Sequence, residues 1–273
     1  MMRTFQSLPN SILAPYIDRF WGWESDGNEQ IALPRLLPGV GAELYFHYRT
    51  PFQQLAHAGQ IQSCGAAHLF CLRDKTIDLL PASDIGFIAI RFRAGMVYRF
   101  TEVPSSDFMD KVLSPEDLWG MAGKNLSSQI ASAETHAERL RLIQAFLLEQ
   151  IAQRRPDVVY EHAASLLYTR CVELTIDQLA KHLGIGRRQL ERRFMAIAGQ
   201  SPVEMRNLAR FQKTFRTLML DGATDVADAA LAHGYCDQSH FIRHFQRLAA
   251  EPPGRHLKTA RTKTHFFNTS LRA

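Results

Sequence analysis

Hydrophobic and polar positions alternate with period two in two stretches of the first half of the chain. Over 42–48 (AELYFHY), Leu44, Phe46 and Tyr48 share one face, and Glu43, Tyr45 and His47 the other, as in a strand. Over 85–93 (IGFIAIRFR), Ile88, Ile90 and Phe92 point one way and Ala89, Arg91 and Arg93 the other. Pro34, Pro38-Gly39, Gly65, Pro81 and Gly95 break the first 113 residues into short strands. Such a pattern predicts an antiparallel barrel or sandwich. The period then lengthens. Ser114-Pro115 reads as a helix N-cap followed by a first-turn proline. Leu140, Ile143, Leu147 and Ile151 continue a helical pattern drawn over 126–151. Gln153-Arg-Arg-Pro156 ends it, because proline cannot continue a helix and turns the residue before it away from helical geometry.

The second half is helical and repeats itself. Ile176, Leu179, Ala180 and Gly184 recur as Val226, Ala229, Ala230 and Gly234, and Leu190, Arg192 and Phe194 recur one register later as Phe241, Arg243 and Phe245. One supersecondary unit has been built twice, with one residue inserted. Each copy reads as helix, glycine turn, helix. Thr175 with Gln178 forms a capping box, and Thr224 stands as the cap of the second copy. Small alanines allow close helix crossing, and the glycines supply a left-handed turn. This is a helix-turn-helix.

At 100° per residue, Leu190, Phe194 and Ile197 of the first second-helix face the core, with Arg188, Arg192 and Met195 opposite and Gln189 and Glu191 at the flanks. In the second copy Phe241, Phe245 and Leu248 face inward, while Ser239, Arg243 and Gln246 face outward. Gln238 stands at the exposed start, with His240 and Ile242 at the sides. Arginine reads guanine edges and glutamine adenine edges, so these faces suit the major groove. The alternative is a solvated surface, and Glu191 has a second use as ion partner of Arg187, four residues back. Between the units, Ser201-Pro202-Val203-Glu204 opens a helix that Asp221-Gly222 closes. Its stripe is Leu208, Phe211, Phe215, Leu218 and Met219, with Arg206, Arg210 and Lys213 on another face. A rod of roughly 28 Å, with its flanking turns, would set two recognition helices about 34 Å apart, one turn of B-DNA.

Charge sharpens this picture. The net charge over 273 residues is +5. Residues 1–156 hold 15 Lys+Arg against 16 Asp+Glu, a net of −1, and 157–273 hold 17 against 11, a net of +6. The basic half is therefore where a polyanion would bind. The hydrophobic share of 46% suits a globular chain of two domains. No apolar run reaches membrane-spanning length, and the N-terminus lacks a signal-peptide core, so a cytoplasmic protein without a membrane partner is expected. Cys64, Cys71, Cys171 and Cys236 are too scattered for a disulfide framework or a zinc knuckle.

The segments LTIDQLAKHLGIGRRQLERRFMAIAGQSPVEMRNLARFQKTFRTLM and DVADAALAHGYCDQSHFIRHFQR make residues 170–248 resemble the DNA-binding domain of the AraC/XylS transcription regulators. The resemblance implies recognition positions at Arg188, Glu191 and Arg192 in the first unit, and at Gln238, Ser239, Ile242 and Arg243 in the second. Two departures stand out. Gly186 replaces the usual serine N-cap, and Ala250-Glu-Pro-Pro253-Gly-Arg-His256-Leu257 replaces the usual Gly-x-Thr-Pro-x-x-aromatic-Arg, which leaves a last helix without its signature. LLPGVGAELYFHY and IRFRAGMVYRFTEVPSSDFMDKVLSPEDLWG resemble the N-terminal domain of a subgroup of these regulators. For that half the resemblance implies a cupin-like barrel that binds a small effector or mediates dimerisation.

A metalloenzyme barrel is the rival. His47, His57 and His68 are dispersed, and no His-x-His with a following glutamate is present. Cys71-Leu72-Arg73 lacks a neighbouring histidine for alkyl transfer. Trp21, Trp23, Phe46 and Tyr48 are candidates for an aromatic effector pocket, with ordinary core as the alternative. The sequence thus predicts an α+β, two-domain chain. An antiparallel β-barrel spans 1–113, a helical connector that could serve dimerisation 114–156, a double helix-turn-helix domain with its linker helix 157–258, and a basic tail 259–273. The expected function is sequence-specific, effector-responsive transcription regulation without enzyme activity or cofactor. Its alternatives are a barrel that only dimerises, or a metal-dependent cupin-type enzyme fused to a DNA-binding module. Phosphate contacts are expected from Arg187, Arg193, Arg206 and Lys258, with Arg261 and Lys263 as further tail candidates. The expected partners are double-stranded DNA, a small effector, RNA polymerase and a second copy of the chain.

Overall fold

A computed structural model describes residues 2–55, 60–222, 224–261 and 263. Among the described residues there are ten strands: β1 (Arg3–Ser7), β2 (Ile17–Glu24), β3 (Arg35–Leu36), β4 (Ala42–His47), β5 (Gln53–Leu55), β6 (Ile61–Ser63), β7 (Ala67–Phe70), β8 (Ile77–Asp78), β9 (Gly86–Phe92) and β10 (Val112–Leu113). Six of them form an antiparallel sheet in the order β1-β2-β9-β4-β7-β10, and β3-β8 and β5-β6 form two ribbons. The hydrogen-bonded order ends at β1 and β10 rather than returning on itself, so the expected barrel is, among the described residues, an open sheet with ribbons. Both alternating stretches are central strands paired to each other, with Leu44 opposite Ile90 and Glu43 opposite Arg91.

Alternation sorts the side chains as expected, but both faces are covered. Phe20, Leu44, Phe46, Ile88, Ile90 and Phe92 pack with Leu126, Ile130, Ile143 and Leu147 of the helical connector. Trp21, Trp23, Tyr45, Phe52, Phe70 and Phe87 build a separate aromatic core on the other face. Phe46 therefore lies across the sheet from the two tryptophans, and these aromatics are core rather than one pocket wall.

The connector is α1 (Ser105–Phe108), α2 (Pro115–Trp119), α3 (Met121–Ser132) and α4 (His136–Ala152). The single helix expected over 126–151 is thus two. Thr135 accepts from the Glu138 backbone N–H at 3.2 Å and starts α4, while buried Arg139 donates to the carbonyls of Ile130 and Ala133 and closes α3. Six helices follow: α5 (Val158–Thr169), α6 (Ile176–His182), α7 (Arg187–Ala198), α8 (Pro202–Leu220), α9 (Val226–Ala232) and α10 (Gln238–Ala249), and α11 (Pro253–Ala260) is the last element among the described residues. The last helix forms without its family signature. Pro253 takes its first turn, and His256 occupies the aromatic position, packed against the rings of Phe215 and Phe245.

The two halves share a core. Val40, Ala94 and Met96 from the sheet side pack among the buried residues of α5 to α11. Tyr160 donates to the Gly95 carbonyl at 3.0 Å, Tyr98 to the Glu161 carboxylate at 2.6 Å, and Ser105 to the Ile197 carbonyl at 2.6 Å. Asp157 opens the second half as the N-cap of α5, immediately after Pro156.

Candidate nucleic-acid interface

The first unit is built on its caps. Thr175 and Gln178 close the expected capping box on α6, the Thr175 N–H donating to Gln178 Oε1 at 2.9 Å and the Gln178 N–H to Thr175 Oγ1 at 3.2 Å. Gly184 turns at φ +67°, and the Ile185 N–H returns to the Ala180 carbonyl at 3.1 Å. In the second unit Gly234 turns at φ +82°, and the Tyr235 N–H returns to Ala230 at 3.0 Å. The two turns match bond for bond. The cap of α9 is a correction, however. Asp225 accepts from the Ala227 N–H, and the Thr224 hydroxyl points away, to the Asp221 carboxylate. A carboxylate at the positive end of a helix is the stronger cap.

The inserted residue lies in the second turn. α7 starts from Gly186, which has no side-chain cap, whereas Tyr235-Cys236-Asp237 leads into α10 and Asp237 accepts from the His240 N–H at 2.7 Å. Sequence inspection passed over Asp237, although aspartate before a helical stripe is a cap signal. Both second helices are 12 residues long. Leu190 and Phe194 are buried in one, and Phe241, Phe245 and Leu248 in the other. Arg188, Gln189 and Arg192 are exposed on α7, and Gln238, Ser239, Arg243 and Gln246 on α10, with Ile242 half-buried. Glu191 is half-buried and takes the pairing available to it: Arg187 Nε lies 2.9 Å from its carboxylate.

The predicted phosphate contacts occupy varied settings. Arg187 also reaches Asp177 at 3.2 Å, which pins the start of α7 to α6. Arg193 pairs with Asp157, and Arg206 donates to the Leu174 carbonyl at 3.2 Å. Lys258 is exposed. Arg261 donates to the Leu218 carbonyl at 2.7 Å, at the end of α8. Arg210 and Lys213 donate to the carbonyls of Cys171 and Thr169. The basic face of the rod thus satisfies carbonyls left open where α5 ends.

Beside α10 lies a notch of about 440 Å³, walled by Arg206, Asn207 and Arg210 of α8 and by His240, Arg243 and Arg247 of α10. Four arginines converge there, one of them the exposed base-reading candidate Arg243. The rod α8 spans 19 residues, roughly 28 Å, between the two units, and Ser201 and Glu204 cap it reciprocally as expected.

Residues 179–259 match the family described as a helix-turn-helix domain. Among solved structures, an AraC-type DNA-binding regulator from Chromobacterium violaceum is 25% identical, covering 38% of this chain and 92% of that one, with a TM-score of 0.35. Residues 179–259 are a helix-turn-helix domain of the AraC type. The chain that carries this AraC-type domain is a DNA-binding transcription regulator. Residues 6–114 match a domain of unknown function (DUF6597). ToxT from Vibrio cholerae is 11% identical over 95% of this chain and 98% of its own, with a TM-score of 0.47. Xylose-binding transcription activator xylR is 20% identical over 40% of this chain and 30% of its own, with a TM-score of 0.35.

His47 and His68 are buried in the aromatic core with rings stacked 5.2 Å apart, and His57 lies outside the described residues. Among the described residues no group of three or more His, Cys, Asp and Glu is placed to hold a metal ion. Among the described residues no helix is long and apolar enough to cross a membrane.

Proposed function

We propose that the AraC-type domain reads two successive major-groove segments. In this reading Arg188, Gln189, Glu191 and Arg192 of α7 meet the first, and Gln238, Ser239, Ile242 and Arg243 of α10 the second. One observation carries it: two recognition helices of equal length, each with an exposed arginine at the repeated position, precede and follow one 19-residue linker helix in the chain. Glu191 takes part by orienting Arg187 as well as by facing the groove. Lys258 and the notch arginine Arg247 bind backbone phosphate, which fixes register without reading sequence. Arg193 and Arg206 act first as structural ties.

Arg192→Ala and Arg243→Ala are expected to lower affinity for a selected duplex by about 1–3 kcal/mol each, and to relax preference at one base pair. Arg247→Ala should weaken all sequences alike and flatten the salt dependence. Titration of fluorescent duplexes carrying single base-pair changes separates these outcomes. Uniform loss in Arg192→Ala and Arg243→Ala would reassign both residues to phosphate.

The sheet half acts in this proposal as the sensor, responding to a small effector, and no catalytic step is assigned to it. The protein works in the cytoplasm, where it meets both DNA and RNA polymerase. A second copy is expected to dock through the sheet half, because Leu126, Ile130, Ile143 and Leu147 of the connector are committed to the core.

A further inference from the structure

A cleft of about 1110 Å³ opens between the sheet and the AraC-type domain. Two of the polar ties that cross between these halves land where a recognition helix ends. In the first unit Ser105 of α1 donates to the Ile197 carbonyl, in the last turn of α7, at 2.6 Å. In the second, Arg35 of β3 donates to the Glu251 carboxylate at 3.3 Å, on the cleft wall. Glu251 directly follows Ala250, the C-cap of α10. His256 Nδ1 lies 2.7 Å from the same carboxylate oxygen, and its ring packs on Phe245 of α10. The tie therefore reaches the second recognition helix through the chain and through packing. Both ties are sheltered: Ser105 is buried, and the Arg35 and Glu251 side chains are 24% and 22% exposed. Salt screens such a pair less than a surface one. The base-reading candidates occupy the first two turns of each helix, so both helices are held at the opposite end.

The two ties lead back to one segment of the sheet half, residues 73–78. Asp110, two residues after α1, accepts from the backbone N–H groups of Arg73, Asp74 and Lys75 at 2.8, 3.1 and 3.1 Å. It does so at φ +55°, in the left-handed region that few side chains enter. On the same segment, Thr76 Oγ1 accepts from Arg35 and the Asp78 carboxylate pairs with it, both at 3.2 Å. A continuous run of contacts thus joins the end of α7 to the end of α10 through the sheet half.

We propose that segment 73–78 is a bracket that fixes the separation of the two recognition helices, with Asp110 and Arg35 as its positioning residues. On the two-groove reading given above, on which it rests, the bracket confers selectivity for the spacing between half-sites. One added base pair moves a half-site by about 3.4 Å along the duplex and turns it by roughly 35°. Two units joined by α8 alone can slide on their packing to follow that shift. Units also clamped at the far end of each recognition helix follow it only by breaking a tie.

The test uses the full chain and a duplex that it selects from random sequence, with each half-site located by scrambling. Inserting one base pair between the half-sites should cost the wild type about tenfold in affinity, the scale of a mismatched site. Arg35→Gln and Glu251→Gln at one end of the bracket should each cut that penalty several-fold. Asp110→Gly at the other end, which removes the carboxylate at a φ that glycine accepts, should do the same. Arg35→Gln combined with Asp110→Gly should do no more than either alone, since both open one bracket. General damage to folding would weaken every spacing alike and leave the ratio untouched. Variants that keep the wild-type ratio, a wild type indifferent to the insertion, or additive effects in the double variant would overturn the bracket. Wild-type binding that survives scrambling of either half-site would instead sink the two-groove reading.

Discussion

His47 and His68 carry unusual weight for two single residues. Both sit among Tyr45, Phe52, Phe70 and Phe87, where burial holds the His47 imidazole well below its ordinary range and lowers His68 to about 4. The folded protein keeps them neutral, whereas the unfolded chain protonates near 6.5. Below that value the unfolded state binds more protons, so stability falls as pH drops from about 6.5 towards 4, by up to about 1.4 kcal/mol per pH unit for each histidine. Urea midpoints across that range should show the slope, and His68→Phe should reduce it. The alternation over 42–48 placed His47 on a shared face with Tyr45, but only the ribbons folded over that face make it interior. Long-range burial of this kind leaves no local signal. A second residue, Ala250, ends α10 at φ +57°, where glycine is the usual choice. Ala250→Gly should therefore raise stability by about 1 kcal/mol in denaturant titration, the left-handed strain outweighing the entropy of glycine.

Elements were legible in proportion to how local their causes are. The N-cap at Ser114, the capping boxes at Thr175 and Ser201, the two glycine turns and the length of α8 were all readable, because each depends on residues within one turn. Thr175→Ala should cost about 1 kcal/mol in thermal unfolding, by removing one half of its box. The break between α3 and α4 was missed for an instructive reason. Leu126, Ile130, Ile143 and Ile151 do share a buried side, but two helices packed on one sheet keep that side continuous across a bend. The signal was Thr135 with Glu138, a cap pair inside an apparently unbroken pattern. Likewise Asp225 and Thr224 are adjacent cap candidates, and only backbone geometry decides between them. Of the recognition faces, exposure was legible from the wheel; the pairing of Arg187 with Glu191 followed from their spacing, and its extension to Asp177 did not.

At the scale of the molecule, the boundary at Pro156 marks where one half yields to the other in sequence but not where contacts stop. Gly199 shows this best. It ends α7 at φ +65°, and a Cβ there would lie 2.8 Å from the Met109 methyl and 3.1 Å from the Ser106 nitrogen. Gly199→Ala is expected to push the α1 segment off the end of the first recognition helix. Hydrogen exchange should then quicken around 105–109 and at the end of α7, while α10 stays protected. Unchanged protection would mean that the segment yields without cost. The interdomain cleft was invisible in sequence, since its walls come from segments as far apart as Gln6 and Lys263.

The two units stand in tandem in one chain, yet the second carries an extra turn residue and a different set of outward side chains. A single molecule is therefore not its own mirror on the duplex. On the proposed reading its operator needs no dyad, and reversing that operator end for end would hand each half-site to the wrong helix. The bound protein accordingly has an upstream and a downstream end, and a promoter could be told which way to fire by the orientation of its site alone.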